Sequence, residues 1–207
     1  MEIVQGSEEW HRCRIGKITA SKINDVMAKL KGKGEASSRK DYRVQLAVER
    51  LTGEKTDSFT NNAMMWGTEN EPFARQAFEF ARDITVDQVG FIDHPVIPMT
   101  GCSPDGLIGD DGMVEIKCPK TATHIEWMLA GKIPAQHVNQ MLWQMECCGR
   151  QWCEFVSYDP RLPVELQLFI PPRLDFTTEA IAPIRAEVIR LLAEVDQLVQ
   201  QLKDSSS

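Results

Sequence analysis

The chain predicts an α/β (α+β) fold, a central mixed β-sheet flanked by helices, and three observations carry that expectation. Helical and strand periodicities come in alternating blocks: helices, a strand meander, two helices, two strands and a closing helix. The 207 residues include five tryptophans, enough for a core that needs no disulfide or metal staple. No internal repeat is found. One domain over residues 1–203 is therefore expected, with a disordered tail at 204–207.

The elements follow in order. Ser7 suits a helix N-cap, ahead of a helix carrying Trp10 and Arg14. Ser21 suits a second N-cap, before K-I-N-D-V-M-A-K-L. Asp41–Leu51 is amphipathic, with Tyr42, Leu46 and Leu51 near one face, and residues 54–62 read as a loop. Pro72 suits a first helical turn, which places Glu71 at that helix's N-terminus. Phe73, Ala77 and Phe80 then form a core stripe on a helix running to about Arg82. Strands are expected over Ile84–Ile92, Ile97–Cys102 and Met113–Cys118, the last two joined through the turn Gly109-Asp110-Asp111-Gly112. Helices over Thr121–Ala130 and Ala135–Cys148 end at Gly131 and Gly149. Strands over Trp152–Tyr158 and Val164–Ile170 precede a long helix over Phe176–Leu202, with Pro183 as the place for a bend.

Composition narrows the function classes. No segment is long and apolar enough to cross a bilayer, and the acidic N-terminus lacks an apolar signal segment. The six cysteines fit no zinc spacing and read as reduced, mostly buried thiols. A net charge of −7 argues against a basic coat but not against a local positive surface. The densest basic segment, Lys29–Lys40, reads either as a solvated loop or as a phosphate contact.

The informative stretch is S-P-D-G-L-I-G-D-D-G-M-V-E-I-K, Ser103–Lys117. Alternation along a strand turns Glu115 and Lys117 to one face and Ile116 to the other, and a hairpin would bring Asp105 beside them. Two carboxylates and an ammonium at one place suit a hard cation, Mg²⁺ or Mn²⁺, and phosphodiester cleavage. Each part also has an ordinary reading: Pro-Asp-Gly is a common turn, and Glu-x-Lys is a common salt-bridging strand face.

Four further motifs surround this stretch in order: W-H-R-C-R-I-G-K-I-T-A-S at Trp10–Ser21, M-W-G-T-E-N-E at Met65–Glu71, E-I-K-C-P at Glu115–Pro119 and Y-D-P-R at Tyr158–Arg161. Together with C-S-P-D-G-L at Cys102–Leu107, the set closely resembles the bacteriophage lambda exonuclease family of viral recombination nucleases (YqaJ-type), within the PD-(D/E)XK nuclease superfamily. The resemblance implies a 5′-to-3′ exonuclease on double-stranded DNA that leaves a 3′ single-stranded tail. It implies that Asp105, Glu115 and the Ile116 carbonyl hold a metal, that Glu71 holds a second, and that Lys117 is catalytic. It implies that Arg14 holds the 5′-phosphate, where the Ser21 hydroxyl and the helix start behind it could help, and that Gln140 lies near the attacking water. His137 stands where the lambda-type sequence has tyrosine; it is either a phosphate donor or a functionless helix-face residue. Trp10 is expected to pack in the core.

The resemblance further implies a homotrimeric ring, a single-strand-annealing protein as partner, and action in the cytoplasm of a bacterial host, encoded by a phage or prophage. The competing readings are a restriction-type endonuclease on the same core and a catalytically silent module that binds DNA ends.

Overall fold

The structure, a computed structural model, describes residues 3–29, 34–56 and 62–205. Helices α1 (Glu8–Arg14), α2 (Ile23–Val26), α3 (Ser37–Thr52) and α4 (Asn62–Arg82) dominate the first part, with strand β1 (Ile18–Thr19) between α1 and α2. Strands β2 (Ile92–Asp93), β3 (Thr100–Cys102), β4 (Gly106–Ile108) and β5 (Gly112–Lys117) form the meander. Helices α5 (Thr121–Ala130) and α6 (Ala135–Cys148) lead to β6 (Trp152–Tyr158), β7 (Leu168–Phe169) and β8 (Leu174–Asp175), and α7 (Thr178–Asp204) closes the chain.

The strands make a three-stranded sheet, β1-β3-β2, and a five-stranded one, β4-β5-β6-β7 with β8 also on β6. Both are mixed, since β1–β3 and β5–β6 are parallel while the other pairs are antiparallel. The expected class is thus present. The β5–β6 pair is parallel because α5 and α6 supply the crossover that such a pair needs. Alternation along β5 sends Met113 to a core shared with α6 and α7, and Val114 and Ile116 to a second core with Ala74 and Phe78 of α4.

Several elements differ from expectation, each for a physical reason. α4 begins at Asn62, so Pro72 and Glu71 lie mid-helix. Its first turns bury no residue before Asn70, and they leave no apolar period to read. The core stripe on α4 is Ala74 and Phe78, while Phe73 is 60% and Phe80 90% exposed. The two stripes share one spacing and differ by one residue of rotation, which periodicity alone does not resolve. On α3, Tyr42 and Leu46 are buried as expected, but Leu51 is exposed.

Ile84–Ile92 is mostly irregular; only the Asp87–Leu107 bridge and Ile92–Asp93 are β-structured. β3 is confined to Thr100–Cys102, and β4, which was not expected, is the strand that the Gly109–Gly112 turn joins to β5. Val164–Leu166 is 3₁₀-helical, which leaves β7 only two residues. Asp204 and Ser205 close α7 as its last residue and C-cap instead of belonging to a tail, and 206–207 lie outside the described residues.

Ser7 does cap α1, accepting from the Trp10 N–H. Ser21 caps nothing. It sits inside a 3₁₀ turn, Ala20–Lys22, and the following α2 has only four residues. Of the basic segment, 30–33 lie outside the described residues, as do 57–61 of the expected loop. All six cysteines are free thiols.

Candidate active site

The β3–β4 connection, strand β5 and helices α4 and α5 line one cavity, and helix α6 backs it through Glu115. Asp105 lies in the turn between β3 and β4. Its carboxylate oxygen Oδ2 accepts the backbone N–H of Ile116 at 2.7 Å, which ties the turn to β5. That turn leads directly into Gly106, where a Cβ would lie 2.0 Å from Cγ1 of Val86, so only glycine lets the chain pass. Gly109, at φ +53°, opens the turn that returns the chain along β5.

Glu115 and Lys117 share a face of β5 as alternation requires. The Lys117 ammonium contacts Oε1 of Glu115 directly and lies 4.0 Å from Oδ2 of Asp105. Glu115 is fully buried, and both its oxygens are held from α6: Oε1 accepts from Gln140 Nε2 at 2.6 Å, and Oε2 accepts from Gln144 Nε2 at 2.8 Å. Glu71 lines the same cavity from α4 and pairs with Arg75 one turn on, at 2.5 Å. The cavity, about 220 Å³, is also lined by Ile116, Cys118, Pro119 and Trp127.

Electrostatics mark this cavity as short of positive charge. Burial, then repulsion from Glu115, drives Asp105 well above the ordinary carboxylate range. Burial also raises Glu71, against the pull of Arg75 and Lys117 and with the push of Glu115. Burial alone would lower Lys117, but Glu115 and Asp105 outweigh it and hold the ammonium charged. The Cys118 thiol is pushed up to about 12 by burial and then by Glu71, so it stays neutral.

The donors fit a small hard cation. They are carboxylate oxygens, with a backbone carbonyl at Ile116, and burial and crowding already disfavour the charge of Asp105 and Glu71. Among the described residues no three His, Cys, Asp or Glu side chains form a ready cage. Mg²⁺ does not require one, because it uses one or two carboxylates and keeps several waters.

A second cluster lies next to the first. Arg14 reaches Ser103 Oγ at 3.1 Å and Ser21 Oγ at 3.5 Å, with its guanidinium 4.1 Å above the Trp10 ring. The Trp10 indole N–H donates to the same Ser103 hydroxyl at 2.8 Å. Trp10 is therefore a wall of this pocket and belongs to neither core cluster, contrary to expectation. Among the described residues no carboxylate lies within ion-pair distance of Arg14, whose partners are neutral hydroxyls. Ser103 precedes Asp105 by two residues, so one turn links the two clusters.

His137 stands beside the cavity without lining it. Its ring stacks on Phe155, the partner of Glu115 across the β5–β6 pair, at 5.3 Å and meets Trp127 edge-on at 5.4 Å. Burial, then Lys117, lowers its pKa to about 4, so it is neutral near pH 7.

The expected Asp105, Glu115, Lys117, Ile116, Glu71 and Gln140 are thus assembled at one place, and Arg14 and Ser21 at the next. Sequence reasoning missed Ser103, Gln144, Arg75 and Trp127. Ser103 was inside the S-P-D-G motif. Gln144 and Arg75 follow Gln140 and Glu71 by one helical turn, a spacing that could have flagged both.

Comparison with known proteins points the same way. The model of the YqaJ-like viral recombinase domain matches residues 9–151. The chain is 46% identical to LHK-Exo, an alkaline exonuclease from Laribacter hongkongensis, over 97% of this chain and 98% of that one, with a TM-score of 0.89. Against LHK-Exo in complex with dAMP the TM-score is 0.90 at the same identity and coverage. A phage-related exonuclease from Haemophilus somnus 129PT, 15% identical, covers 90% of this chain and 96% of its own length at a TM-score of 0.70, and shows a shared fold alone. No curated protein matches the chain.

Proposed function

The chain belongs to the YqaJ-like viral recombinase family, and from that premise we propose that it is a divalent-metal-dependent 5′-to-3′ exonuclease on double-stranded DNA. The observation that carries the reading is the meeting of Asp105, Glu115 and Lys117 at one cavity beside the Arg14 pocket. Asp105, Glu115 and the Ile116 carbonyl would hold Mg²⁺, or Mn²⁺ in its place, and Glu71 would serve a second ion. When bound, the cation neutralises charge on the scissile phosphate and makes its phosphorus more electrophilic.

The side chains do the remaining work. Lys117, kept charged by Glu115 and Asp105, orients the attacking water or stabilises the charge that develops at phosphorus. Gln140 fixes Glu115 through Oε1, which places its amide beside the carboxylate where the attacking water would sit. Arg14 has no acidic partner to displace, so its fork is free to grip a terminal 5′-phosphate with the Ser21 and Ser103 hydroxyls beside it. Holding the terminal phosphate in one pocket sets which internucleotide bond enters the other. That supports cleavage from an end and yields a 3′ single-stranded tail. His137 is neutral and packed among rings, so any phosphate contact would be one hydrogen bond and not an ion pair.

Recombination by strand annealing is the role this product suits, with a single-strand-annealing protein as partner, in the cytoplasm of a bacterial host infected by a phage or carrying a prophage. No described helix is long and apolar enough to cross a membrane. A homotrimeric ring would reconcile the net charge of −7 with DNA binding, since only its channel need be positive, and would give the exposed Phe73 and Phe80 rings a surface to pack on. The test is a time course on linear duplex labelled at each terminus, with closed circular duplex alongside. Mg²⁺-dependent loss of the 5′ label first, with circles intact, is expected. Cleaved circles, or ends bound but undigested in Mg²⁺, would overturn the reading.

A further inference from the structure

The carboxylate of Glu115 is fully buried and is gripped on both oxygens by side-chain amides of one helix. Gln140 and Gln144 are four residues apart on α6 and so project from the same face. Each donates its amide to a different oxygen of Glu115, at 2.6 Å and 2.8 Å. Gln144 is the deeper of the two, at 1% exposure, and its own Oε1 is buried with no hydrogen-bond partner. A side chain that leaves one polar atom orphaned in the core has a cost that packing alone does not repay. The single contact offsetting that cost is the bond to Glu115.

We propose that Gln144 is a positioning residue that sets the orientation of Glu115 for the divalent cation. The inference rests on the metal-dependent reading above. Without Gln144, Glu115 would keep Lys117 and Gln140, both on Oε1, and nothing would fix Oε2. The carboxylate could then rotate about its last torsion and would bind a cation less tightly. Partners that orient a metal-binding carboxylate commonly govern affinity or activity by about ten- to a hundredfold.

Gln144→Met keeps the length and volume of the side chain while removing its donor. The readout is Mn²⁺ binding by isothermal calorimetry and by electron paramagnetic resonance of free Mn²⁺, in protein without DNA. The wild type, Gln144→Met and Glu115→Ala are compared, together with melting temperature and binding of a 5′-phosphorylated duplex end in EDTA. About a tenfold rise in the Mn²⁺ dissociation constant is expected for Gln144→Met, with end binding in EDTA unchanged and little change in melting temperature. A packing role would move the melting temperature and leave Mn²⁺ affinity alone. Unchanged Mn²⁺ affinity in folded Gln144→Met, with affinity lost in Glu115→Ala, overturns the role of Gln144 only. Affinity retained in Glu115→Ala overturns the metal-site reading itself. Should Gln144→Met not fold, Gln144→Asn, whose amide is too short to reach Glu115, carries the same expectation and the same refutation.

Discussion

Two clusters in this molecule are built from acidic and basic side chains and behave in opposite ways. On α3 and α7, Arg39 sits between Glu35 and Glu194, at 2.6 and 2.7 Å, with Arg43, Arg190 and Glu187 completing the set. Three arginines meet three glutamates there. The bond to Arg39 lowers the pKa of Glu194, and the bond to Glu194 raises that of Arg39, so each stabilises the other's charge. At the site, the cations that pair with Glu71, Asp105 and Glu115 are, among the described residues, Lys117 and Arg75 alone, and Asp105 and Glu71 are both pushed up. One cluster is balanced and ties helices together. The other is under-compensated, and an added cation would relieve it. Both clusters gather acids and bases, and it is the balance that separates scaffold from site.

The largest break in that comparison comes from Lys117→Ala. Removing a positioned donor of transition-state charge costs about 10²–10³ in turnover, which single-turnover cleavage of a labelled duplex would measure. The melting temperature should fall as well, since the buried Glu115 loses its ammonium partner, but the protein should stay folded at the assay temperature. Near-normal turnover in a folded Lys117→Ala protein would remove Lys117 from the chemistry.

The converse is Arg39→Ala. Breaking a buried ion pair costs about 3–5 kcal/mol, and because Glu35 and Glu194 are a quarter exposed, about 2 kcal/mol is the sounder expectation here. Thermal melts should fall by about 5 °C, while cleavage per folded molecule is retained. Lost activity with an unchanged melt would mean that this arginine touches DNA, as the basic Lys29–Lys40 segment first suggested.

Arg14→Ala sharpens the contrast between arginines. Arg39 is held by carboxylates, whereas Arg14 has, among the described residues, only neutral hydroxyls and aromatic rings about it, so of the two Arg14 is the one open to an outside anion. A charge-assisted hydrogen bond is worth about 1.5–3 kcal/mol, so the preference for 5′-phosphorylated over 5′-hydroxyl ends should drop about tenfold. Competition between the two ends is the measurement, and an unchanged ratio would assign the phosphate to another residue.

The same contrast explains what could be read from the sequence. Asp105, Glu115 and Lys117 were legible because a hairpin turn and strand alternation are local rules. Asp105 is placed by the Ile116 N–H, eleven residues on in the chain and across one hairpin. The Arg39 cluster was not legible, because its partner Glu194 lies 155 residues away on α7. Within the basic segment, Arg39 is held by carboxylates of a balanced network, while 30–33 lie outside the described residues. The α4 stripe was misjudged by one residue because helical spacing fits two adjacent faces, and only the sheet decides between Phe73 and Phe78. Glu71 looked like a helix-start charge, since the first turns of α4 bury nothing that would announce them. Gln144 had one faint signal, its place one helical turn after Gln140, and its role shows only once Glu115 is known to lie against that face.

The smallest expected effect concerns His137, which sits at the edge of the under-compensated cluster. Its folded pKa is lowered to about 4, by burial first, with Lys117 adding to it and Glu115 opposing. The unfolded chain titrates near pH 6.5. Between these values the unfolded state holds a proton that the folded state does not, so stability falls as pH drops through that window and is unaffected above it. His137→Gln removes this titration. From pH 7.5 to pH 4.5 the wild type should lose about 1 kcal/mol more than the variant once solvent screening is allowed for, read from chemical denaturation at each pH. The carboxylates of the cavity titrate in both proteins, so their share cancels in the difference. Parallel curves would mean that the ring accepts a proton in place and that the charge of Lys117 does not dominate this side of the cavity.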